Sequence, residues 1–329
     1  MAVFNGTQAS GGAPTLNGIN GSLVAVLDFW LVTTAGYTIL SSSGNERIYL
    51  PPAGLGYALY VGDDSSISGS GQNATVRICE STSVIGALVN AAPTVANQSN
   101  ATCRWGKSTA ATATAVPYDI TVSDGLGITP PFLTFTAIPG SSSGGTQYWG
   151  DGLPQDANDP YCNYLSMMTS AGNGIATAGS WLNACGNIPS GMSTSANIGQ
   201  FVSARNRDGT IVGPMAMYIT GGPASESGTM IGGPVYPHPD TGGMHHEYPV
   251  MGCMASYSRS TSGAKAIMSR AILPGVRNLL HNTYTGIAYP DDWNDTAHSA
   301  SAVFKFISAG GGSAFGSEIT DTFVTPGIG

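Results

Sequence analysis

Charged side chains are scarce in this sequence. Only 9% of its 329 residues are Asp, Glu, Lys or Arg, against roughly 25% in ordinary soluble proteins. The 11 lysines and arginines are scattered along the chain, and the formal net charge is −8. Because nucleic-acid binding needs a positive face, we expect neither DNA nor RNA as a partner. Few charges also give weak self-repulsion, which a subunit held permanently in an assembly tolerates.

The sequence also lacks an apolar run long enough to cross a bilayer. The longest run, residues 23–32, has about half the length of a membrane span, and Asp28 interrupts it. Residues 1–18 show neither the basic start nor the apolar segment of a secretory signal. We therefore expect no membrane span, and synthesis in a reducing cytosol.

Closely spaced cysteines are missing too. The five cysteines are far apart, odd in number and never arranged as C-x-x-C, so neither a metal cage nor a disulfide framework is predicted. In a reducing compartment they are expected to be buried thiols. They are Cys79, Cys103, Cys162, Cys185 and Cys253.

Glycine, proline and small polar residues are abundant instead. With 46 Gly and 20 Pro, the composition favours short strands joined by tight turns and disfavours long helices. We predict a mainly β fold of sandwich-like or barrel-like lobes with a few short helices and an extended N-terminal arm. The predicted strands occupy 46–52, 56–64, 74–81, 118–125, 131–140, 214–222, 264–275 and 301–308. A hairpin is predicted over 198–213, with its turn at Asp208-Gly209.

Three segments are predicted along the chain. Residues 1–22 form the extended arm, which has little hydrophobic content and is expected to be disordered or to lie across a neighbour. Residues 23–140 form a β-rich lobe that begins with a short helix, and residues 141–329 form a second β-rich lobe. The Gly/Ser stretch 139–147 marks the boundary or a long surface loop.

The apolar run itself is predicted to be a short helix. Its large residues recur at helical spacings, Ser22 is a candidate N-cap, and Gly36 is a candidate stop. Phe29 and Val32 lie off the main apolar stripe, so the helix is expected to be buried on most sides, in part by another chain. Its candidate assembly contacts are Leu23, Val26, Leu27, Phe29 and Trp30.

A second candidate contact is the loop 238–249, where three of the five histidines lie within nine residues. Histidine, Asp and Glu are metal-ligand types, but H-E-x-x-H is absent and three prolines prevent a continuous helix. The favoured interpretation is an exposed loop whose histidines meet solvent or a neighbouring subunit, with a bound divalent ion as the alternative. The histidines are His238, His245 and His246.

No motif for catalysis or cofactor binding is found. The sequence contains no G-x-S-x-G elbow, Walker loop or Rossmann fingerprint, so we predict neither an enzyme nor a cofactor. The acidic stretch 151–160 lacks the alternation of a calcium loop and is interpreted as turns. A group of aromatic residues is interpreted as core, with a sugar-stacking platform as the alternative. It consists of Tyr148, Trp149, Tyr161, Tyr164 and Trp181.

Three stretches together resemble one protein family. Residues 11–32, "GGAPTLNGINGSLVAVLDFWLV", are similar to a Gly-Ala-Pro-x-Leu-x-Gly segment followed by Gly-Ser-Leu-x-Ala-Val-Leu-Asp in certain tailed-bacteriophage virion proteins. Residues 74–83, "ATVRICESTS", resemble the family's Ala-Arg-Val-x-x-Tyr-Glu-Ser strand, although Ile78-Cys79 replaces the usual residues. Residues 268–282, "MSRAILPGVRNLLHN", resemble its Arg-x-x-Leu-Pro-Gly and Leu-His segment. The chain departs from the family at Phe29-Trp30, where smaller residues are usual.

The resemblance implies a structural protein of a phage virion without enzymatic activity. We expect a tail or baseplate component that forms a symmetric homo-oligomer and contacts other virion proteins, assembled in the cytoplasm of the bacterial host and located in the virion. Two alternatives are a capsid-decorating or head–tail joining protein, and a tail protein that binds or cleaves carbohydrate. A host surface glycan is therefore a further candidate partner.

Overall fold

The computed structural model describes residues 3–63, 73–92, 104–127, 129–138, 146–154, 156–167, 200–205, 208–210, 217–220, 250–261, 264–279, 292–294, 303–309 and 316–318. Within this part of the chain, 44% of residues lie in strands and 9% in helices. The predicted mainly β fold is thereby confirmed.

A five-stranded antiparallel sheet comes early in the chain and has the order β2-β3-β4-β5-β6. Its strands follow one another in sequence, so strands that are consecutive in the chain are also neighbours in the sheet. The bounds are β2 Thr38–Ser43, β3 Glu46–Leu50, β4 Tyr57–Gly62, β5 Asn73–Glu80 and β6 Arg104–Gly106.

The other described strands form a larger antiparallel sheet. The bounds are β1 Val3–Thr7, β7 Tyr118–Ser123, β8 Phe132–Ala137, β9 Thr146–Asp151, β10 Leu153–Pro154, β11 Asn163–Met167, β12 Gln200–Ser203, β13 Met217–Thr220, β14 Val250–Thr261, β15 Ala264–Leu279, β16 Asp292–Asn294, β17 Val303–Ala309 and β18 Gly316–Glu318. The order runs β1-β7-β8-β9-β11-β12-β13-β14-β15-β18-β17-β16. Strand β10 directly follows β9 and pairs with β15, which closes a circuit of strands from β9 to β15.

All eight strand predictions coincide with observed strands, namely β3, β4, β5, β7, β8, β13, β15 and β17. The predicted hairpin has its first strand and its turn, because β12 is present and Gly209 has φ 81°. However, β12 meets its partner β13 only at Phe201 and Met217, beyond the predicted end of the hairpin. Strand β14 was not predicted, since its sequence mixes apolar and small polar residues without clear alternation.

The hydrophobic core lies between the two sheets. Alternate residues of β4, β5, β7 and β8 face it, as the period of two in a strand requires. Buried side chains from both sheets and from the helical segment form one cluster. Val76 and Ile78 of β5 are in that cluster and lie on the same face of the strand. The fold is therefore a packing of one sheet on the other with a helix included.

The predicted helix is present and has two parts. Residues Ser22–Leu27 are α-helical and Asp28–Thr34 form a π-helix. The end is confirmed near Gly36, whose φ of 73° is accessible to Gly without strain. The prediction of Ser22 as N-cap is wrong, because Gly21 occupies that position and no side chain of the local sequence caps the helix. Instead, Asp63 accepts the Leu23 N–H at 2.8 Å.

The N-terminal segment runs along the same chain. Strand β1 pairs with β7 from Val3↔Ser123 to Thr7↔Asp119. Leu16 is fully buried, and its carbonyl accepts the Val116 N–H at 2.8 Å. Residues 3–7 and Leu16 thus contact the same chain around β7, and the extended N-terminal arm stays a prediction.

The predicted division near residue 140 falls between two paired strands. Strands β8 and β9 pair from Phe132↔Gly150 to Thr136↔Thr146, while residues 139–145 lie outside the described part. The larger sheet thus includes strands from both predicted lobes. The two-lobe organisation stays a prediction.

Candidate functional site

Within the described residues, a group of ionisable and aromatic side chains lies where the ends of strands from the two sheets come together. We call Tyr57, Glu80, Asp151, Tyr161 and Arg205 the junction cluster. Tyr57 begins β4 and Glu80 ends β5, whereas Asp151 ends β9. Tyr161 and Arg205 flank β11 and β12. The other four residues all lie within electrostatic range of the Tyr57 hydroxyl.

An ion pair connects the two sheets in this cluster. Arg205 Nη2 contacts Glu80 Oε1, with 22% and 31% of the side chains exposed. Asn90 Nδ2 donates to the same carboxylate oxygen at 2.7 Å. Partial burial raises the pKa of Glu80, but the hydrogen bonds from Asn90 and Arg205 outweigh it and hold the pKa below its ordinary value. Glu80 is therefore ionised at neutral pH and held in place by two donors.

The guanidinium of Arg205 is also held from the side of the larger sheet. Its carbon lies 5.8 Å from the centre of the Tyr161 ring, within the range of a cation–π contact. Its Nη1 donates to the Gly209 carbonyl at 3.1 Å. Gly209 belongs to the Asp-Gly turn predicted from the sequence, so this turn supplies a backbone acceptor to the cluster.

Asp151 is the most buried carboxyl group of the junction cluster, at 3% exposure. Its Oδ1 accepts Asn163 Nδ2 at 2.8 Å, and its Oδ2 accepts the Leu55 N–H at 2.8 Å. Burial raises its pKa from 3.8 to about 6, and the two hydrogen bonds only partly oppose this shift. The carboxylate joins the loop before β4 to strand β11.

Two tyrosines near Asp151 stay protonated. Burial raises the pKa of Tyr57 to about 12, although the charge of Arg205 opposes the shift. Burial raises the pKa of Tyr37 well above its ordinary value, and the charges of Asp151 and Asp124 add to this. Tyr37 donates its hydroxyl to the Ser123 carbonyl at 2.8 Å. Both hydroxyl groups are hydrogen-bond donors at every physiological pH.

The junction cluster offers two kinds of chemistry. Two carboxyl groups whose pKa values are displaced in opposite directions are a pattern found in acid–base catalysis. Here, however, Glu80 receives two donors and both oxygens of Asp151 are occupied. Such saturation is typical of a structural junction. The partly exposed Tyr161 beside Arg205 and Glu80 is also suited to hydrogen bonding and stacking with a sugar.

No local feature of the sequence points directly to this cluster. Its ion-paired members Glu80 and Arg205 are separated by 125 residues. Only an indirect indication of the cluster was present in the sequence. In a chain with 9% charged residues, a charged residue at the end of an apolar strand is unusual. Glu80 is such a residue and could have been singled out on that ground.

The predicted contact residues on the helix are mostly in the interior of the chain itself. Leu23, Val26 and Leu27 are fully buried and Trp30 is 5% exposed. The indole Nε1 of Trp30 donates to the Tyr118 hydroxyl at 3.2 Å. Phe29 is only partly buried and packs against the edge of the core. Among these five residues, Phe29 is the one with side-chain surface to offer another subunit.

The other predicted contact residues, His238, His245 and His246, lie outside the described residues. Their roles as assembly contacts or as ligands of an ion stay predictions.

The aromatic group beyond β8 belongs mostly to the core. Tyr148, Trp149 and Tyr164 are fully buried, which confirms the core interpretation for these three. Tyr161 is partly exposed and belongs to the junction cluster, whereas Trp181 lies outside the described residues.

The later part of the acidic stretch, residues 156–160, forms turns, as predicted, whereas Asp151 ends β9 and Leu153–Pro154 form β10. Asp156 accepts the Asn158 N–H at 3.0 Å, and Asp159 accepts the Tyr161 N–H at 3.1 Å. In both cases the carboxylate accepts the backbone N–H two residues ahead, and such hydrogen bonds stabilise turns. No group of three or more His, Cys, Asp or Glu side chains in the described ranges is arranged to hold a metal ion.

Two predicted thiols can be assessed. Cys79 and Cys162 are buried thiols and not part of a disulfide, as expected. Burial raises the pKa of the Cys79 thiol to about 11, so it is protonated and unreactive at neutral pH.

No helix within the described segments is both long and apolar enough to cross a membrane. Comparison with protein families and with curated proteins finds no match to this chain.

Proposed function

We propose that this chain is a structural subunit of a tailed-bacteriophage virion, a tail or baseplate component that works as a symmetric oligomer. The proposal assigns it a mechanical role in the particle, without catalysis. Its partners are copies of itself and other virion proteins.

The observation that carries the proposal is the role of the residues behind the family resemblance. In the first stretch, an added Cβ at Gly18 would lie 1.8 Å from the Ala110 carbonyl oxygen. Asp28 accepts hydrogen bonds from Arg47 at 3.3 Å and from Tyr49 at 2.8 Å. These residues hold backbone and side chains of the fold in place.

The other two stretches have the same character. Glu80 forms the ion pair between the sheets. Gly275 lies over Phe132, because an added Cβ would come within 2.1 Å of that ring. Residues that maintain a fold are the ones a family of structural proteins would share, whereas an enzyme family would share catalytic groups.

The described surface also presents apolar side chains that suit an assembly. Leu55, Leu126 and Leu153 are 42%, 64% and 43% exposed. The loops of Leu55 and Leu126 meet at Pro131, since added Cβ atoms at the neighbouring Gly54 and Gly125 would lie 2.7 and 2.8 Å from its ring. Exposed apolar residues on converging loops are common in contact surfaces between subunits.

The proposal is tested by the mass of the native protein and by its place in the particle. We expect light scattering after size-exclusion chromatography to show a discrete oligomer at micromolar concentration. A Leu126→Ser variant should shift toward monomer, while the matched Val84→Ser variant, changed at a residue outside these loops that is 50% exposed, should not. Gold-labelled antibody should decorate the tails of intact particles.

A monomeric wild-type chain that is absent from particles would contradict the proposal. Label on the head or neck would favour the capsid-decorating or joining role instead.

The second candidate is a carbohydrate-binding or carbohydrate-cleaving tail protein, and the junction cluster is the observation that favours it. It supplies Tyr161, Arg205 and two carboxyl groups with displaced pKa values. Incubation with host polysaccharide tests it. Binding that is lost in Tyr161→Ala would favour glycan recognition, and released sugar would overturn the non-enzymatic proposal.

A further inference from the structure

A lysine and an aspartate face each other with no access to water beneath the start of the helix. Asp63 follows β4 and Lys107 follows β6, and both side chains have 0% exposure. Lys107 Nζ lies 2.5 Å from Asp63 Oδ1. A fully buried pair of opposite charges is unusual, because removing both ions from water is costly.

The nitrogen of Lys107 is held by three acceptors. Besides Asp63, the Ile19 carbonyl accepts it at 2.6 Å and Ser22 Oγ at 3.3 Å. Two of its hydrogens therefore have partners away from the carboxyl group. If the third hydrogen moves to Asp63 Oδ1, the free electron pair of the nitrogen is directed at that carboxyl group.

The other carboxyl oxygen faces a backbone donor. Asp63 Oδ2 accepts the Leu23 N–H at 2.8 Å. A backbone N–H in this place stabilises negative charge that develops on Oδ2 when a nucleophile attacks the carboxyl carbon. Since a carbon–oxygen bond is about 1.2 Å long, Nζ lies within about 3.7 Å of that carbon, close to the 3–3.5 Å of a reactive arrangement.

Burial also moves both groups toward their neutral forms. It raises the pKa of Asp63, with the Lys107 charge and hydrogen bonds opposing the shift. It lowers the pKa of Lys107, with Asp63 opposing. A neutral amine beside a neutral carboxylic acid is the combination from which an amide can form.

We propose that Lys107 and Asp63 condense into an intramolecular isopeptide bond. The nitrogen of the neutral amine attacks the Asp63 carboxyl carbon and the N–C bond forms. A proton moves from the nitrogen to the Oδ1 hydroxyl, the bond from carbon to Oδ1 breaks, and one water leaves. The reaction consumes no oxidant, metal or cofactor, and its product is uncharged.

The bond has a mechanical consequence. It links the residue after β4 to the residue after β6, so residues 64–106 become a covalently closed loop that contains β5. The link acts beside the helix N-terminus, where Asp63 already accepts Leu23 N–H. The inference concerns the chain itself and does not depend on its place in a virion.

Mass spectrometry of the purified, denatured full chain tests the proposal. We expect the wild-type mass to lie about 18 Da, one water, below the mass of the sequence. Trypsin does not cut after an acylated lysine, so digestion should give a branched peptide in which residues 48–77 are joined to residues 105–205. Fragmentation should place the branch at Asp63 and Lys107.

Two variants separate this bond from other losses of water. Lys107→Arg keeps the positive charge but cannot form the amide, and Asp63→Ala removes the carboxyl group; both should show the full sequence mass. Asp28→Ala, which breaks an ion pair nearer the surface, should keep the deficit. A wild-type mass equal to that of the sequence, or a deficit that persists in Lys107→Arg, would overturn the proposal and leave the pair as an ordinary salt bridge.

Discussion

Replacing Asp151 by Asn should stabilise the protein at neutral pH. The substitution keeps the shape of the side chain and removes a charge that burial makes unfavourable. Its oxygen can still accept the Leu55 N–H. Asn163 Oδ1 has no hydrogen-bond partner among the described residues, so rotation of the Asn163 amide lets this oxygen accept the new amide hydrogen.

The magnitude follows from the pKa of Asp151, which is 3.8 in its ordinary state and about 6 in the fold. A raised carboxyl pKa means that the folded state binds more protons than the unfolded state. The associated stability is complete below pH 3.8 and is lost as the pH rises to 6. At 1.36 kcal/mol for each pH unit, the loss at pH 7 is about 3 kcal/mol. At pH 4 it is about 0.5 kcal/mol.

Urea unfolding followed by tryptophan fluorescence at pH 4, 5, 6 and 7 measures the effect. The Asp151→Asn variant should exceed the wild type by a margin that grows with pH and levels off above pH 6. The matched Asp156→Asn variant, changed in a nearby turn, should follow the pH dependence of the wild type. Asp151→Ala should be destabilised, because it leaves Leu55 N–H and Asn163 Nδ2 without their acceptor.

A difference that is independent of pH would refute the reasoning, as would an Asp151→Asn variant as unstable as Asp151→Ala. Either result would mean that the hydrogen bonds accepted by the ionised carboxylate stabilise the fold by more than burial of its charge destabilises it.

Two further substitutions test the packing and the junction. Gly6→Ala places a Cβ 1.7 Å from the Trp30 ring and should destabilise the fold by about 1–3 kcal/mol through overpacking, which a lower melting temperature would show. Gly11→Ala is the control, because its added Cβ would have no atom within 4 Å. Equal melting temperatures of the two variants would contradict the expected clash. Glu80→Gln removes the partly exposed pair with Arg205 and should cost under about 1 kcal/mol, because solvent screens it. The loss should shrink in high salt and disappear as the pH falls through the lowered pKa of Glu80; a salt-independent loss would exclude an electrostatic origin.

The helix shows which features of the fold were predictable from the sequence and which were not. Its position and its end near Gly36 were predictable, because apolar spacing and a glycine stop are local features. Its capping was not predictable, since the acceptor of the Leu23 N–H is Asp63, 40 residues away. Which part of the protein covers the helix was not predictable either. The apolar stripe of Leu23, Val26 and Leu27 indicates that the helix is buried, but not whether its own chain or another chain buries it.

The junction cluster shows the opposite case. Each of its residues was visible in the sequence, and the turn that contributes Gly209 was predicted. The grouping was not, because Glu80 and Arg205 become neighbours only through the packing of one sheet on the other.

The sequence by itself determined the class of this protein: strands in the predicted places, buried thiols at Cys79 and Cys162, and a short helix at one site. Alternation, turn residues and composition act over a few neighbouring residues, so they are readable without coordinates. Only the tertiary structure decided which sparse charges would pair, such as Asp63 with Lys107 and Glu80 with Arg205. The physical reason is that the energy of a charge depends on its burial and on partners distant in sequence, and both arise when the sheets close over the core.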